Sequence, residues 1–502
     1  MEEFVELEHF ELDALSIQML PYEFCVDNRV VILNRVNKNS TEPITLGIID
    51  HQNEELITQI KSMLKRSVEV VRLNAYEIQK AVDIGYNIYK KEDFDYTLTL
   101  NAISTISYDP EAPISKTINE ILGKAVSLKA SDIHIESYAD DVDVRFRIDG
   151  ILHQINHPLS KANIRSAISR LRILANLDVT EYRHAQDGRI NSVYETEEGK
   201  RVVDFRVSIV PGPFGLDVVL RILDSSQAIV GLEKLGFPKD QKKKFEDLVS
   251  SPEGLILVAG PTGCGKTTTL YSALHHINTD ENKVLTVEDP IEYIFAKTNQ
   301  KQITPDMGFA DYVRCFLRQN PDAIMIGEIR DQETAEVAFR AAQTGHLVLS
   351  TIHAVDSVRG LSRLRSLKVD SSIVSTCLLA ILSQRLVRKL CPTCKELNTP
   401  KELHIQKFNL PENEQFYQAV GCEECKEVGY KGRTGIYELF SVDDVIGDLI
   451  AEDVSAQEIR KKARELGLQS LLEDALPKAR KGITSLEELL RVIPYRIISL
   501  EK

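Results

Sequence analysis

The 502-residue sequence predicts an α/β protein with a parallel β-sheet at its centre. Four apolar runs between residues 254 and 353 indicate buried strands: GLILVAG, KVLTVE, AIMIGE and HLVLSTIH. Helical segments separate these runs, and alternating strands and helices are typical of a parallel sheet that helices cover on both faces. A chain of this length exceeds one ordinary core, so we expect several domains.

The composition is that of a globular protein with an acidic balance. Of the residues, 43% are hydrophobic and 27% are charged, and the formal net charge is −14. This balance argues against a general nucleic-acid binder, because such proteins present a basic face to phosphates. No apolar run reaches the length of a membrane span, and the acidic start MEEFVELEHFELD lacks a signal pattern. We therefore expect a cytoplasmic protein that meets a membrane only through a partner.

Changes in the hydrophobic pattern divide the chain into five segments. Short strand signals with one helical stretch come first, and a helix followed by alternating strands (DIHIE, DVDVRFRID, RVVDFRVSIV and DVVLRIL) comes second. The strand–helix alternation is third, a cysteine-bearing segment is fourth, and the last segment is helical. Polar residues at 91–96 and the stretch YDPEAP at 108–113 predict a linker. The predicted domains are residues 1–105, 106–232, 233–388, 389–440 and 441–502.

Two patterns in the last segment predict helix starts. Ser455–Glu458 and Thr484–Glu487 each place a hydroxyl three residues before a glutamate, which is the spacing of a capping box. Gly482 fits the end of a helix before the second start, because glycine readily adopts the left-handed conformation found there. We therefore expect separate helices on the two sides of Gly482.

A glycine-rich loop, GPTGCGKT at 260–267, fits the pattern G-x-x-x-x-G-K-[ST]. It follows an apolar strand and opens a helix, KTTTLYSALHHI, which is the setting that a phosphate-binding loop needs. Backbone N–H groups can curl around a phosphate there, and the helix N-terminus adds a positive end. Lys266 is expected to reach the outer phosphates, and Thr267 to bind Mg²⁺. The candidate ATP-binding residues are Gly260, Pro261, Thr262, Gly263, Cys264, Gly265, Lys266, Thr267 and Thr268.

The stretch AIMIGEIRD at 323–331 departs from the usual second nucleotide motif. That motif ends its strand in Asp, whereas Gly327 and Glu328 stand here. Two further apolar strands end in EDPIE and STIH, and parallel strands present their carboxyl ends at one crevice. A solvated loop residue is the alternative for any single acid, and which acid activates water stays open. The candidate catalytic residues are Glu328, Glu288, Glu292 and His353.

Arginines are also concentrated in this part of the sequence. Arg314 and Arg318 lie four residues apart in FADYVRCFLRQN, where a helix would put both on one face. Arg330 follows Glu328. Cationic side chains stabilise a phosphoryl transition state, so Arg314 and Arg318 are further catalytic candidates. A structural ion pair with a nearby acid is the alternative for each.

Two cysteine pairs predict a metal site. The stretches CPTC at 391–394 and CEEC at 422–425 present four thiols, which can bind Zn²⁺ tetrahedrally in a closed structural site. A redox CxxC pair is the alternative, and two matched pairs argue against it. No basic stripe surrounds them, so no nucleic-acid partner is expected. The predicted zinc ligands are Cys391, Cys394, Cys422 and Cys425.

Long stretches of the chain match the motifs of one family in order and in register. They include GPTGCGKTTTLY, TVEDPIEY, LRQNPDAIMIGEIRDQETAEVAFRAAQTGHLVLSTIHA and QRLVRKLCPTC. The stretches ASDIHIE, VRFRIDGILH, QDGRI, GYKGRTGIYEL and GITSLEELLRV extend the match over residues 114–495. The chain thereby resembles the secretion ATPase superfamily, the motors of type II secretion and type IV pilus assembly, and within it the general secretion pathway protein E family. Cys264 departs from the serine usual in this family.

This resemblance implies a homohexameric ATPase with a RecA-like core and a preceding smaller α+β domain with a PAS-like fold. It implies ATP and Mg²⁺ as ligands, zinc at the four cysteines, and Glu328 as the acid that positions magnesium and water. Arg206 and Arg221 match family arginines that reach the nucleotide phosphates from the smaller domain. The residues alone predict only that both face outward from β-strands.

The resemblance also implies partners at a membrane. Residues 1–105 resemble a short N-terminal module, which in type II secretion docks the cytosolic domain of an inner-membrane anchor protein. An integral inner-membrane platform protein is the second expected partner. The implied location is the cytoplasmic face of the bacterial inner membrane.

The expected function is therefore an ATP-hydrolysing motor that drives pseudopilus assembly and protein export by a type II secretion system. A type IV pilus extension ATPase is the alternative within the family, and the short N-terminal module favours secretion. Two hypotheses come from other classes. One is a DNA-handling RecA-like translocase, against which the acidic balance argues, and the other is a nucleotide-gated scaffold that never turns ATP over.

Overall fold

The computed structural model describes residues 10, 12–34, 36, 43–50, 53–75, 77–78, 81–82, 97–101, 113–196, 199–224, 230–411 and 413–499. The predicted linker residues 91–96 and 108–112, and the predicted boundary at 105/106, lie outside them. The chain divides into two compact units, Met1–Asp224 and Ser225–Lys502. Within the described ranges, no helix is both long and apolar enough to cross a membrane.

The first unit begins with a small three-stranded sheet. Its strand β2 pairs antiparallel with β1 and parallel with β3. Buried aliphatic side chains, such as Ile32, Leu46 and Ile60, form the core between this sheet and its helices. The elements are α1 (Ala14–Ile17), α2 (Tyr22–Asn28), β1 (Val30–Ile32), β2 (Ile44–Ile48), α3 (Glu54–Leu64) and β3 (Val68–Arg72).

A seven-stranded antiparallel sheet completes the first unit, with strand order β4-β8-β9-β10-β5-β6-β7. The predicted strands are confirmed as β5, β6, β9 and β10, while β7, β8 and α5 were not predicted. β4 comes from the segment assigned to the first domain and pairs with β8. The elements are β4 (Thr97–Asn101), α4 (Pro113–Ser127), β5 (Asp132–Ser137), β6 (Val142–Ile148), β7 (Ile151–Gln154), α5 (Ile164–Leu174), β8 (Gln186–Thr196), β9 (Gly199–Gly212) and β10 (Gly215–Asp224).

The second unit is built on a seven-stranded sheet with strand order β13-β12-β14-β15-β11-β16-β19. All neighbours in it are parallel except β19, which runs antiparallel to β16 at one edge. The four predicted strands are confirmed as β11, β12, β14 and β15. The strands are β11 (Gly254–Ala259), β12 (Val284–Glu288), β13 (Thr298–Gln302), β14 (Ala323–Ile326), β15 (Leu347–Ile352), β16 (Leu378–Leu390) and β19 (Tyr430–Ser441).

Helices cover both faces of this sheet, which explains why β11, β12, β14 and β15 are buried along their whole length and mainly apolar. Along β11, Leu255 and Leu257 belong to one buried cluster, and Ile256 and Val258 belong to the other. Successive strand residues point to opposite faces, so a strand buried on both sides has no polar alternation. The helices are α6 (Lys239–Val249), α7 (Lys266–Ile277), α8 (Phe309–Phe316), α9 (Gln332–Gln343), α10 (Ser357–Ser366) and α11 (Ser371–Cys377), after a 3₁₀ turn at Leu232–Lys234.

The segment predicted as a cysteine module, 389–440, contributes directly to this sheet, because β19 lies mostly within it. The chain between β16 and β19 forms a two-stranded ribbon and a helix: β17 (Glu396–Asn398), α12 (Glu402–Phe408) and β18 (Phe416–Gln418). Helices follow, as predicted: α13 (Asp444–Ala451), α14 (Ala456–Glu465), α15 (Leu471–Arg480), α16 (Leu486–Val492) and α17 (Tyr495–Ile498).

One predicted capping box is confirmed and the other is wrong by one residue. Ser455 caps α14 with Glu458 reaching back, as expected. Helix α16, however, is capped by Ser485, whose hydroxyl accepts from the N–H of Glu488 at 3.1 Å. Thr484 is fully buried instead. Gly482 lies just after α15 with φ of 64°, as predicted.

Candidate nucleotide-binding and metal sites

The glycine-rich loop joins β11 to α7 at the carboxyl edge of the core sheet. Gly263 and Gly265 have φ of 76° and 88°, a left-handed conformation that costs other residues free energy. Gly265 is the N-cap of α7 and has no side chain to occupy the first-turn N–H groups. The loop therefore presents backbone donors at a positive helix end, which suits an anion.

Lys266 folds back over this loop. Its ammonium donates to the carbonyl oxygens of Gly260 and Pro261, at 3.0 Å each. Burial lowers the pKa of Lys266, while the Cys264 thiol and the Glu328 carboxylate raise it. Lys266 therefore interacts electrostatically with the acid of the atypical second motif. Of the other loop residues, Pro261, Thr262 and Gly263 are exposed, Thr267 and Thr268 are half-buried, and Cys264 is buried.

Glu328 lies at the centre of the crevice, just after β14. It forms an ion pair with Arg330, and its Oε2 lies 3.5 Å from Nε2 of His353, which follows β15. Arg330 also approaches Asp289, just after β12, at 3.7 Å. The ends of three neighbouring parallel strands thus meet, as the alternation of strands and helices predicts.

Glu288 occupies a different environment, although it ends the neighbouring strand. Its side chain is 3% exposed and accepts hydrogen bonds from the Tyr271 hydroxyl, from Thr286 at 2.6 Å and from Gln300 at 3.0 Å. Burial and the Glu288 charge raise the pKa of Tyr271, so its hydroxyl stays a donor. Glu288 is therefore held inside the fold. Glu292, the third predicted acid, is half-buried and lies near Tyr271.

The structure does not bring Arg314 and Arg318 into this ion-pair cluster. Helix α8 ends at Phe316, so Arg318 lies in the turn after the helix and not on the helix as expected. Arg314 pairs with Asp311 at 3.2 Å and with Glu333 at 2.6 Å. Arg318 donates to the carbonyl of Arg314 at 3.1 Å. Arg314 therefore forms structural ion pairs with nearby acids, which was the alternative interpretation of this residue.

Arg206 and Arg221 lie in the first unit. They are opposite each other on β9 and β10, and their neighbours along each strand are buried. Arg221 is 57% exposed at its side chain and approaches Asp132 at 3.4 Å. Both arginines thus face outward from the sheet, as their strand positions predict.

The four cysteines of the two CxxC pairs come together. Their sulfur atoms all lie within 4.8 Å of one another. Three backbone N–H groups point at them: Gly421 donates to Cys394 at 3.3 Å, and Cys422 and Gly429 donate to Cys425 at 3.2 Å. Such donors stabilise thiolates, and four thiolates in this arrangement fit the ligand set that Zn²⁺ takes in closed sites.

Sequence reasoning missed the polar side chains that support the loop from the sheet. Gln384 and Arg385 of β16 are 1% and 4% exposed, and both lie against the glycine-rich loop. Their signal was present in the stretch LLAILSQRLVRKL, where the three adjacent polar residues Ser383, Gln384 and Arg385 interrupt an apolar strand. A buried polar residue needs a hydrogen-bond partner, so such an interruption marks a specific contact.

Comparisons with known proteins identify the family. Residues 108–491 match the family described as "Type II/IV secretion system protein", and residues 2–84 match the MshEN domain. The chain is 38% identical over 499 residues to the type II secretion system ATPase E of Vibrio cholerae, which covers 95% of this chain and 97% of that protein. It is also 38% identical over 506 residues to the type IV pilus assembly ATPase PilB of Myxococcus xanthus, with 97% and 88% covered.

Solved structures share the fold. The pilus retraction motor PilT with bound ADP superposes with a TM-score of 0.51 at 27% identity, covering 74% of this chain and 95% of that one. The Legionella pneumophila ATPase DotB has a TM-score of 0.57 at 22% identity, covering 80% and 100%, a likeness of fold alone. The chain belongs to the type II/IV secretion system protein family and is an ATPase with a RecA-like core.

Proposed function

We propose that this ATPase is the cytoplasmic motor that powers pseudopilus assembly and protein export by a type II secretion system. The observation that carries the motor is that the glycine-rich loop with Lys266 follows β11, and Glu328 follows β14, at the same carboxyl edge of the core sheet. The proposal favours secretion, as the short N-terminal module predicts, and the chain spans 97% of the Vibrio cholerae secretion ATPase. A pilus extension motor is the alternative, supported by the equal identity of 38%.

In this proposal the loop binds the phosphates of ATP. The first-turn N–H groups of α7 and the Lys266 ammonium supply the positive side of the contact. The oxygens of Thr267 and Glu328 fit a magnesium site, because Mg²⁺ prefers oxygen ligands. When bound, Mg²⁺ neutralises charge that develops on the transferred phosphoryl group.

We assign the orientation of the attacking water to Glu328. Its side chain is 16% exposed at the crevice, and His353 and Arg330 hold it in place. Glu288 is less suited, because three side chains already donate to its two oxygens. We therefore place Glu288, together with Glu292 beside it, in the support of α7 and β12.

The arginines complete the proposed site when ATP binds. Arg206 and Arg221 would reach the phosphates when the first unit closes on the nucleotide, and hydrolysis would release them. Arg314 and Arg318 would act at the transition state. The acids Asp311 and Glu333 hold Arg314 in this structure, so Arg314 must exchange these partners during the cycle.

The proposed assembly is a homohexamer on the cytoplasmic side of the inner membrane. The N-terminal domain, of which residues 2–84 match the MshEN domain, would dock the cytosolic domain of an inner-membrane anchor protein. The rotation that follows hydrolysis would be passed to an integral platform protein. Zn²⁺ held by Cys391, Cys394, Cys422 and Cys425 would have a structural role.

Two substitutions test the motor in the purified oligomer. Lys266→Ala removes a phosphate contact, so we expect the dissociation constant of Mg-ATP to rise by about tenfold or more. Glu328→Gln keeps the size of the side chain but removes its charge, so ATP should bind while kcat falls by about 100-fold or more. Glu336→Gln, which changes an exposed acid on α9, is the matched control. Mg-ATP binding without turnover in the wild-type chain, even with its membrane partners, would contradict the proposal and favour the scaffold.

A gene deletion in the source organism distinguishes secretion from pilus extension. The proposal expects exported enzymes to accumulate inside the cell while pili persist. The loss of pili with normal export would favour the alternative. Complementation with Glu328→Gln should fail to restore whichever process depends on this motor, because ATP turnover drives both.

A further inference from the structure

The support of the glycine-rich loop from β16 has a consequence for phosphate binding. β16 lies beside β11, with Ser383 level with Ala259, so Gln384 faces the first residue of the loop. The side chain of Gln384 is almost completely buried between the sheet and α7. It is therefore placed to act on the loop without touching solvent.

Gln384 makes two hydrogen bonds that fix the direction of its amide. Its Nε2 donates to the carbonyl oxygen of Cys264 at 2.7 Å, and its Oε1 accepts from the Thr269 hydroxyl at 2.8 Å. A carbonyl oxygen can only accept, so the NH₂ group must face Cys264. The Thr269 hydroxyl then stabilises this orientation from α7.

The bond to Cys264 controls the next peptide group. In a trans peptide the C=O of one residue and the N–H of the next point in opposite directions. Because Gln384 draws the Cys264 carbonyl toward β16, the N–H of Gly265 points away from β16, toward the open side of the loop. That is the side on which a phosphate can approach the start of α7.

Arg385 holds the backbone of Gln384 in place. Its guanidinium donates to the carbonyl of Gln384 at 2.8 Å and to the carbonyl of Val355 at 2.6 Å. Val355 follows His353 in the chain, so the dipeptide Gln384–Arg385 links the loop to the segment after β15. Successive strand residues face opposite ways, which lets one dipeptide serve both sides of the sheet.

We propose that Gln384 is a positioning residue for ATP, which acts by aiming the N–H of Gly265 at the phosphates. This inference rests on the proposed function, since it needs ATP at the loop. A residue that only joined α7 to β16 would affect folding and not the affinity for phosphate. The two roles therefore predict different measurements.

The test compares Gln384→Met with Thr269→Val and with Ser383→Ala in the full-length oligomer. Gln384→Met keeps the shape but removes the donor, so the KM and dissociation constant for ATP should each rise about tenfold while kcat changes less than about threefold. Thr269→Val leaves the donor in place and should raise KM only about twofold. Ser383→Ala changes a buried neighbour whose hydroxyl has no partner, and should leave KM unchanged.

Each outcome of this test supports or overturns the positioning role of Gln384. An unchanged KM in a folded Gln384→Met chain, or the same rise in Ser383→Ala, would overturn the positioning role while the motor stands. If Gln384→Met does not fold, Gln384→Asn decides, because it stays polar but is too short to reach Cys264. A wild-type chain that does not bind Mg-ATP would overturn the proposed function, and this inference with it.

Discussion

At the scale of single residues, Glu288 and Glu328 have different environments because they lie at different distances from the ends of their strands. Glu288 is the last residue of β12, and three side chains of the fold surround its carboxylate. Glu328 follows β14 after Gly327 and reaches the crevice instead. A Cβ at Gly327 would lie 3.4 Å from the backbone of Glu288 and from the ring of Phe309, which is an ordinary van der Waals contact.

The contrast predicts different effects on stability. Glu288→Ala leaves the Tyr271 hydroxyl and its neighbours without an acceptor inside the protein, so we expect it to lower the free energy of unfolding of the second unit by about 3 kcal/mol. Glu328→Gln, at a partly open site, should cost less than about 1 kcal/mol. Urea unfolding followed by circular dichroism measures both. Equal losses would show that Glu288 is not a structural acid.

At the scale of elements, helix α16 shows how two overlapping patterns compete. Thr484–Glu487 and Ser485–Glu488 both have capping-box spacing, and the predicted cap was Thr484. The structure uses Ser485, which also shares a hydrogen bond of 2.7 Å with the Tyr430 hydroxyl on β19. The buried side chain of Thr484 makes it unavailable as a cap. Packing against β19 therefore determines which residue caps α16.

The assignment of Ser485 as the cap of α16 predicts different stability changes for two neighbouring substitutions. Ser485→Ala removes the cap and the partner of Tyr430, so it should destabilise the second unit by about 1–2 kcal/mol. Thr484→Val keeps the buried volume and removes a hydroxyl that has no partner, so it should be neutral or slightly stabilising. Thermal midpoints of the two variants give the comparison. A larger loss in Thr484→Val would contradict the assignment.

At the scale of the whole molecule, the cysteine cluster is connected to the core sheet. Cys391 comes directly after β16, and β19 begins shortly after Cys425. These two strands form the antiparallel edge of the sheet, and Gln384 lies in one of them. A metal that closes the cluster would therefore hold together the ends of the strands that support the nucleotide loop.

Metal removal tests this connection. We expect about one zinc per chain by elemental analysis, lost in Cys394→Ser but kept in Cys315→Ser, whose thiol lies outside the cluster. Chelation should raise hydrogen exchange in residues 391–429 and at the adjoining ends of β16 and β19, because a structural metal stabilises the fold around it. Equal zinc content in the two variants would contradict the assignment.

Much of the architecture was predictable because it depends on local pattern. Continuous apolar runs identified β11, β12, β14 and β15, and the glycines with Lys266 identified the loop. Edge strand β13 (TNQKQ) was missed because it is polar and has no apolar pattern. Strands β16 and β19 were missed because polar and charged residues interrupt their apolar pattern. The contacts of Arg314 could not be predicted, because its partner Glu333 lies on another helix.

By itself, the sequence determined the family, the parallel core and the chemistry available at the strand ends, because periodicity and glycine placement act over short distances. Only the tertiary structure decided which acid is enclosed and which stays accessible, which serine caps α16, and that Gln384 holds the Cys264 carbonyl. These outcomes depend on contacts between residues far apart in the chain, and burial there requires each polar group to find a partner. No local pattern contains that information.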